Sequence, residues 1–154
     1  QFLSRVSLPL LSKLNITQKR PLKGLDFGCG PGPALAEMLK EAGCEMDIYD
    51  PLFFNSNHIF SNSYDFITCT EAIEHFHHPA REWSKLMAML KPGGWLAVMT
   101  KRVLDQSKFA SWHYKNDQTH VCFFSESTFN HLAQEWSLHV EYPSADVALF
   151  YRPE

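Results

Sequence analysis

The 154 residues contain four cysteines but no CxxC pair, and no apolar run long enough to span a bilayer. No Lys/Arg stripe extends beyond Lys101 and Arg102, and the formal charge is −3. That balance gives no electrostatic reason to expect nucleic acid or an anionic membrane as partner. The opening QFLSRVSLPLLSKLNI lacks the continuous apolar stretch and small-residue cleavage site of a signal peptide. It begins with Gln rather than Met, which leaves room for residues upstream. Without paired cysteines, Cys44, Cys69 and Cys122 read as reduced thiols in or beside apolar strand-like runs. Cys29 lies in a glycine loop and is assigned no chemistry, and a cytoplasmic setting is the expectation. No internal repeat or low-complexity linker divides the chain, so residues 1–154 are expected to form one domain with a sizeable core.

Phe2, Val6, Leu10 and Leu14 recur at helical spacing, predicting an opening amphipathic helix disturbed by Pro9. This segment, residues 1–20, is expected to act as a helical lid. Strands are predicted at Leu22 to Phe27, Cys44 to Asp50, Tyr64 to Thr70 and Trp95 to Thr100, the last released by a KPGG turn. Helices are predicted after Pro33, after Pro79 (with Trp83, Leu86, Met87 and Leu90 on one side) and after an N-cap at Ser125. The last of these carries Phe129, Leu132, Ala133 and Trp136 on its apolar face. Leu138 to Tyr142 and Val147 to Tyr151, joined by PSAD, predict a closing hairpin. Alternating strands and helices imply an α/β, doubly wound, mostly parallel sheet with an antiparallel C-terminal hairpin.

The strand-to-helix turn LDFGCGPGPAL, Leu25 to Leu35, lies where such sheets bind ligands. A dinucleotide fingerprint would place a third glycine at Pro33, and no Gly-Lys-Ser/Thr follows for a phosphate loop. Instead Gly28, Gly30 and Gly32 leave room beside bare backbone, and Asp26 precedes them. A carboxylate there repels pyrophosphate and welcomes an amine. Asp50, at the tip of the second strand, can accept hydrogen bonds from both hydroxyls of a ribose. An amine partner and a ribose with no phosphate site between them describe S-adenosylmethionine.

From the first strand through the hairpin, the chain resembles the class I S-adenosylmethionine-dependent methyltransferases. LDFGCGPG is similar to that family's first motif, IYDP to its ribose-binding acid and LKPGGWLAVMT to its strand after the catalytic loop. The resemblance implies a Rossmann-like, seven-stranded-type sheet. It implies that Gly28, Gly30 and Gly32 surround the methionine part of the cofactor, that Asp26 reaches its amino group directly or through water, and that Asp50 takes the ribose. One departure stands out: LFFNSNHIFSNSYDF compresses the family's third-strand region and holds no obvious acid for the adenine. Leu52 and Phe53 are expected against the adenine instead.

TEAIEHFHHP, Thr70 to Pro79, follows the next strand at the same sheet edge. On a helical turn Glu71, Glu74 and His75 share a face, a set suited to Zn²⁺, Mn²⁺ or Fe²⁺. The Glu-x-x-Glu-His pattern resembles that of small-RNA 2′-O-methyltransferases and quinone-biosynthesis O-methyltransferases, where it can bind a divalent metal such as Mg, Mn or Zn. By that resemblance a further ligand is His120 or His113, in WHYKNDQTHVCFF, with His120 the better match. The pattern also occurs in family members that need no metal, and there the first acid, here Glu71, sits by the cofactor. His77 and His78 are expected only at the solvent-facing start of a helix. Trp112, Tyr114 and Asp117 lie with His113 and His120 where the family carries substrate contacts.

A methyl acceptor with a hydroxyl needs its proton removed, which a histidine near its reference pKa can do. The expected reaction is O-methylation of a small molecule with His120 or His113 as base. N-methylation, a non-catalytic methyltransferase-fold binding module and an RNA 2′-O-methyltransferase are the alternatives. The acidic charge counts against a large RNA footprint.

Overall fold

The computed structural model describes residues 2–14, 20–103 and 122–154. The opening pattern forms helix α1 (Ser4–Lys13). Pro9 removes a backbone donor from its middle, yet Val6 and Leu10 on either side of it are fully buried and keep it seated. Strand β1 (Lys23–Phe27), helix α2 (Ala34–Glu41) and strand β2 (Glu45–Tyr49) come next. After β2 the chain makes a tight turn in which Asp50 and Phe54 exchange backbone hydrogen bonds of 2.9 and 3.1 Å. A 3-10 turn at Asn57–Ser61 then leads into β3 (Tyr64–Thr70). The compressed stretch supplies no strand, so β2 is left at the edge of the sheet.

Helix α3 (Pro79–Met89) runs directly into β4 (Leu90–Met99). This corrects two expectations. Leu90 begins the strand rather than closing the helix face, and KPGG is a bulge inside the strand rather than a turn before it. Leu90 pairs with Tyr64 and Trp95 with Phe66, so three residues of β3 oppose six of β4. Gly94 makes the detour possible, because a Cβ there would lie 2.8 Å from the Asp65 carbonyl oxygen.

Beyond β4, the short strands β5 (Arg102–Val103) and β6 (Phe124–Ser125) pair in parallel. Helix α4 (Glu126–Glu135) starts as expected: Ser125 Oγ accepts the Thr128 N–H at 3.1 Å. Trp136 lies just past its last residue and is 37% exposed, not on the buried face. Strands β7 (His139–Ser144) and β8 (Val147–Tyr151) form the closing hairpin. Pro143 is tolerated because β7 is an edge strand with a bulge between Glu141 and Ser144.

The six strands lie in the order β2-β1-β3-β4-β8-β7. The first four are parallel, while β8 is antiparallel to both β4 and β7. Alternate strand residues feed two cores. Phe66, Ala97 and Met99 meet Val6 and Leu10 of α1 and Leu35 and Leu39 of α2. Ile67, Cys69, Leu96 and Val98 belong to the other core, with Trp83 of α3 and Phe129 of α4. Helix α1 packs into this core through Val6 and Leu10. At the opposite end from the ligand edge, the Asp65 carboxylate accepts from Nη1 and Nη2 of Arg20 (2.9 and 3.0 Å) and from the Lys23 N–H (2.8 Å), which holds it down at about 2. All four cysteines are free. Among the described residues no helix is long and apolar enough to cross a membrane.

Candidate functional site

The chain passes from β1 to β2 on one side and then to β3 on the other, so the connections leave the β1 and β3 carboxyl ends in opposite directions. A crevice opens at such a point. Gly28 follows β1, Asp50 follows β2 and Glu71 follows β3, which places all three along this one edge.

The glycine loop is fastened to the end of β2. Gly28 and Cys29 both donate their N–H to the Tyr49 carbonyl, at 2.7 and 3.1 Å. The next N–H, that of Gly30, donates to Asp50 Oδ2 at 2.9 Å, and Asp50 Oδ1 accepts from Leu52 N at 2.9 Å. These amides are engaged within the protein, which explains physically why the loop is not a phosphate cradle. Gly28 and Gly30 have φ of +80° and +70°. A Cβ on Gly28 would stand 2.5 Å from the Ala72 Cβ, whereas one on Gly30 would meet nothing within 4 Å. The first glycine is required by close approach, and the second borders open space.

Asp26 lies behind the loop, 2% exposed, and accepts the Thr68 hydroxyl at 3.0 Å. Burial pushes its carboxyl up to about 6; the Thr68 bond opposes the rise and the Asp50 charge adds to it. The Cys29 thiol is pushed up to about 11 by burial, with Asp26 and Asp50 adding to the rise, so it stays protonated and inert.

A cavity of about 610 Å³ opens beside the loop, within the size range of small-molecule sites. Gly28, Gly30, Asp50, Leu52 and Glu71 all line it. Gly32 and Asp26 do not: Gly32 is exposed beyond the loop and Asp26 is buried beneath it. Leu52 (83% exposed) and Phe53 (52%) stand on the rim.

Glu71 is one of two non-glycine residues with positive φ among the described residues, at +50°, and its N–H donates to the Met99 carbonyl at 2.7 Å. This conformation breaks the helical spacing expected for Glu71, Glu74 and His75. The chain after it makes only a single 3-10 turn, Ile73–His75. Glu74 turns into the protein, 1% exposed, where its Oε2 accepts the Thr100 hydroxyl at 2.8 Å. Its Oε1 makes no hydrogen bond among the described residues and lies 3.8 Å from His75 Nε2. Glu71 and His75 face the cavity and Glu74 does not, so the three expected metal ligands are not brought together. Among the described residues no three His, Cys, Asp or Glu are grouped to hold a metal. His113 and His120, with Trp112, Tyr114 and Asp117, lie outside the described residues.

Sequence reasoning missed much of the far wall. Tyr49 and Phe76 line it, with Phe27 stacked on Tyr49 at 5.1 Å between centroids. Glu82 and Lys85 of α3 line it too, as do His77 and His78, which are also exposed at the start of that helix as expected. The only sequence signal was the i, i+3 spacing of Glu82 and Lys85, which does not say which way the helix face points.

A family model described as a methyltransferase domain matches residues 2–141. The chain belongs to the class I S-adenosylmethionine-dependent methyltransferases, a family of enzymes. No curated protein matches it in sequence. Several solved methyltransferases are similar in fold. An O-methyltransferase family protein from Burkholderia thailandensis has 15% identity and a TM-score of 0.69, covering 99% of this chain and 57% of that one. Magnesium protoporphyrin IX methyltransferase from Synechocystis PCC 6803, solved with bound S-adenosylhomocysteine, has 13% identity, a TM-score of 0.67 and coverage of 99% and 82%. A possible histamine N-methyltransferase from Thermotoga maritima has 14% identity, a TM-score of 0.55 and coverage of 99% and 92%. This methyltransferase chain thus spans little more than half the length of the first of them. At these identities the likeness is one of fold, and the site must be read from its own residues.

Proposed function

We propose that the cavity beside Gly28, Gly30, Asp50 and Glu71 binds S-adenosylmethionine and that the protein transfers its methyl group to a hydroxyl of a small molecule. The observation that carries this reading is the convergence of those four residues on one cavity at the sheet's switch point. The donor set fits the cofactor. Asp50 keeps lone pairs for ribose hydroxyls after accepting two backbone N–H groups. The open space beside Gly30 suits the amino-acid end, and the Tyr49 and Phe76 wall suits a flat base. Asp26 supplies negative charge from behind the loop for the ammonium.

When bound, S-adenosylmethionine supplies an electrophilic methyl on sulfur, and the protein's task is to orient an acceptor and exclude water. His113 or His120 is the proposed base. Of the described residues on either side of them in the sequence, Thr100 bonds Glu74 through its hydroxyl and Cys122 bonds both Glu74 O (N–H, 3.1 Å) and Ile73 O (Sγ, 3.0 Å), beside the cavity's His75. A thermal-shift titration tests the cofactor. S-adenosylmethionine is expected to raise the melting temperature and NADH to leave it unchanged; the reverse result overturns the reading.

The Asp26 carboxyl, at about 6, adds a pH dependence with a definite sign. Being raised, it weakens the free protein as pH climbs from about 4 through about 6, because the buried acid must then ionise. Ligand binding needs the ionised form. S-adenosylhomocysteine affinity is therefore expected to fall about tenfold per pH unit below about 6. Asp26→Asn should bind weakly with a flatter profile, and since the cavity histidines are common to both proteins, the difference isolates Asp26. Parallel profiles would remove Asp26 from the site.

A further inference from the structure

The compressed stretch after β2 carries an arrangement that the cavity does not use. Ser56 stands immediately before the 3-10 turn Asn57–Ser61, the place where a serine hydroxyl ordinarily accepts a backbone N–H. It does no capping here. Its Oγ lies 2.6 Å from His58 Nδ1 instead. The other ring nitrogen, His58 Nε2, is 3.9 Å from Asp47 Oδ2 on β2. A hydroxyl, an imidazole and a carboxylate therefore follow one another, and none of the three residues lines the cofactor cavity.

A serine–histidine contact in an exposed turn is by itself an ordinary polar contact. What distinguishes this one is the acid behind it, which is held from the core. Asp47 Oδ2 accepts the Tyr64 hydroxyl at 2.7 Å, and Tyr64 is fully buried. Burial first, and the bond to Asp47 next, raise the Tyr64 phenol, so it keeps its proton and remains the donor. Lys23 Nζ lies 3.8 Å from the same Asp47 oxygen and 5.5 Å from the Tyr64 ring centroid. The Asp47 side chain is 25% exposed and that of His58 57%, so a fixed charge sits beside a ring that solvent can reach. A negative oxygen on the Nε2 side favours the tautomer that carries its proton there. Nδ1 then presents a lone pair, and the Ser56 hydroxyl donates to it. These are the roles that turn a hydroxyl into a nucleophile, and such a set is recognised by geometry and role rather than by chain position. At 3.9 Å the acid acts through its charge and not through a hydrogen bond, so its share of the effect is the smaller one.

We propose that Ser56 is a nucleophile activated by His58, and that it takes an acyl group from a small activated ester or thioester. The bond from Ser56 Oγ to the acyl carbon forms as the hydroxyl proton passes to His58 Nδ1. The bond from that carbon to the leaving oxygen or sulfur breaks, and the leaving group takes the proton. The products are an O-acylserine and a free alcohol or thiol, with the imidazole neutral again. Ser56 and His58 are both exposed, so the donor needs no pocket to reach them. The site shares no residue with the cofactor cavity, and its test is independent of the cofactor reading.

The probe is p-nitrophenyl acetate, with release of p-nitrophenol followed by absorbance and the acetyl group located by peptide mass mapping. Ser56 is expected to be acetylated well ahead of Ser12, an exposed serine whose hydroxyl bonds only the Pro9 carbonyl. His58→Gln should slow acetylation of Ser56 by about 100-fold, the scale of a positioned base. Its side chain is exposed, so the melting temperature should stay unchanged, which separates the slowing from unfolding. Ser56→Ala should remove the label and the p-nitrophenol released with it. Asp47 is a positioning residue, acting through His58. Asp47→Asn should slow acetylation by about tenfold, and the imidazole nitrogen chemical shifts should move from the Nε2–H tautomer to a mixture of the two, a signature that a purely structural Asp47 would leave in place. Acetylation of Ser56 no faster than of Ser12, or a rate that His58→Gln leaves unchanged, overturns the proposal. A wild-type His58 with its proton on Nδ1 overturns it as well, because the ring would then have no lone pair for the serine.

Discussion

Gly28→Val is expected to abolish S-adenosylhomocysteine binding and to lower the melting temperature by about 10 °C. Two effects add. The residue sits at φ +80°, where an L side chain costs about 1–2 kcal/mol. Its first side-chain carbon would fall 2.5 Å from the Ala72 Cβ, closer than such atoms approach, and overpacking of that kind costs about 1–3 kcal/mol. Relief by movement is blocked on one side by the two amides bound to Tyr49 and on the other by the Ala72 turn, anchored through Glu71 N to Met99. Whichever side yields, the cavity wall shifts. A double-mutant cycle separates the effects: Gly28→Ala should be partly rescued by Ala72→Gly, which removes the clash and leaves the φ strain. Strictly additive losses would show that the contact with Ala72 does not govern this position.

Asp50→Ala should weaken S-adenosylmethionine binding more than about 100-fold, since two hydrogen bonds to a charged acceptor are each worth about 1.5–3 kcal/mol. It should also destabilise the free protein by about 1–3 kcal/mol, because Gly30 N and Leu52 N lose their acceptor together. The two losses are distinguishable. Asp50→Asn keeps a carbonyl for one of the backbone donors, so it should recover part of the stability while binding stays poor. An Asp50→Ala protein that is less stable but still gains the wild-type thermal shift from S-adenosylmethionine would mean that Asp50 serves only the turn.

The parts of this site that could be read from the sequence are those fixed by local backbone chemistry. Glycines around Asp26, a strand ending in Asp50 before Pro51, and Tyr64 to Thr70 as a continuous buried run each carry their own signal within a few residues. The Ser125 cap is of the same kind. Where the outcome depended on what packs nearby, the pattern misled. Leu90 fits a helix face or a strand equally well, and only its pairing with Tyr64 decides for the strand. Glu71, Glu74 and His75 have the spacing of a helical face, but the left-handed Glu71 sends Glu74 inward to Thr100. Glu82 carried only its i, i+3 spacing with Lys85, which gives no direction to the helix face. It reaches the cavity because no strand or helix follows β2 to fill the space in front of it, a consequence of something missing elsewhere in the chain.

A crystal structure of the protein with S-adenosylhomocysteine is the most direct measurement of whether Gly28, Gly30 and Asp50 form a nucleoside site. Both ribose hydroxyls should lie within hydrogen-bond distance of the Asp50 carboxylate, with the amino-acid end against Gly30 and the base over Tyr49. Density for the nucleoside anywhere else, or an Asp50 carboxylate that still bonds only Gly30 N and Leu52 N while the ligand is bound, would contradict it.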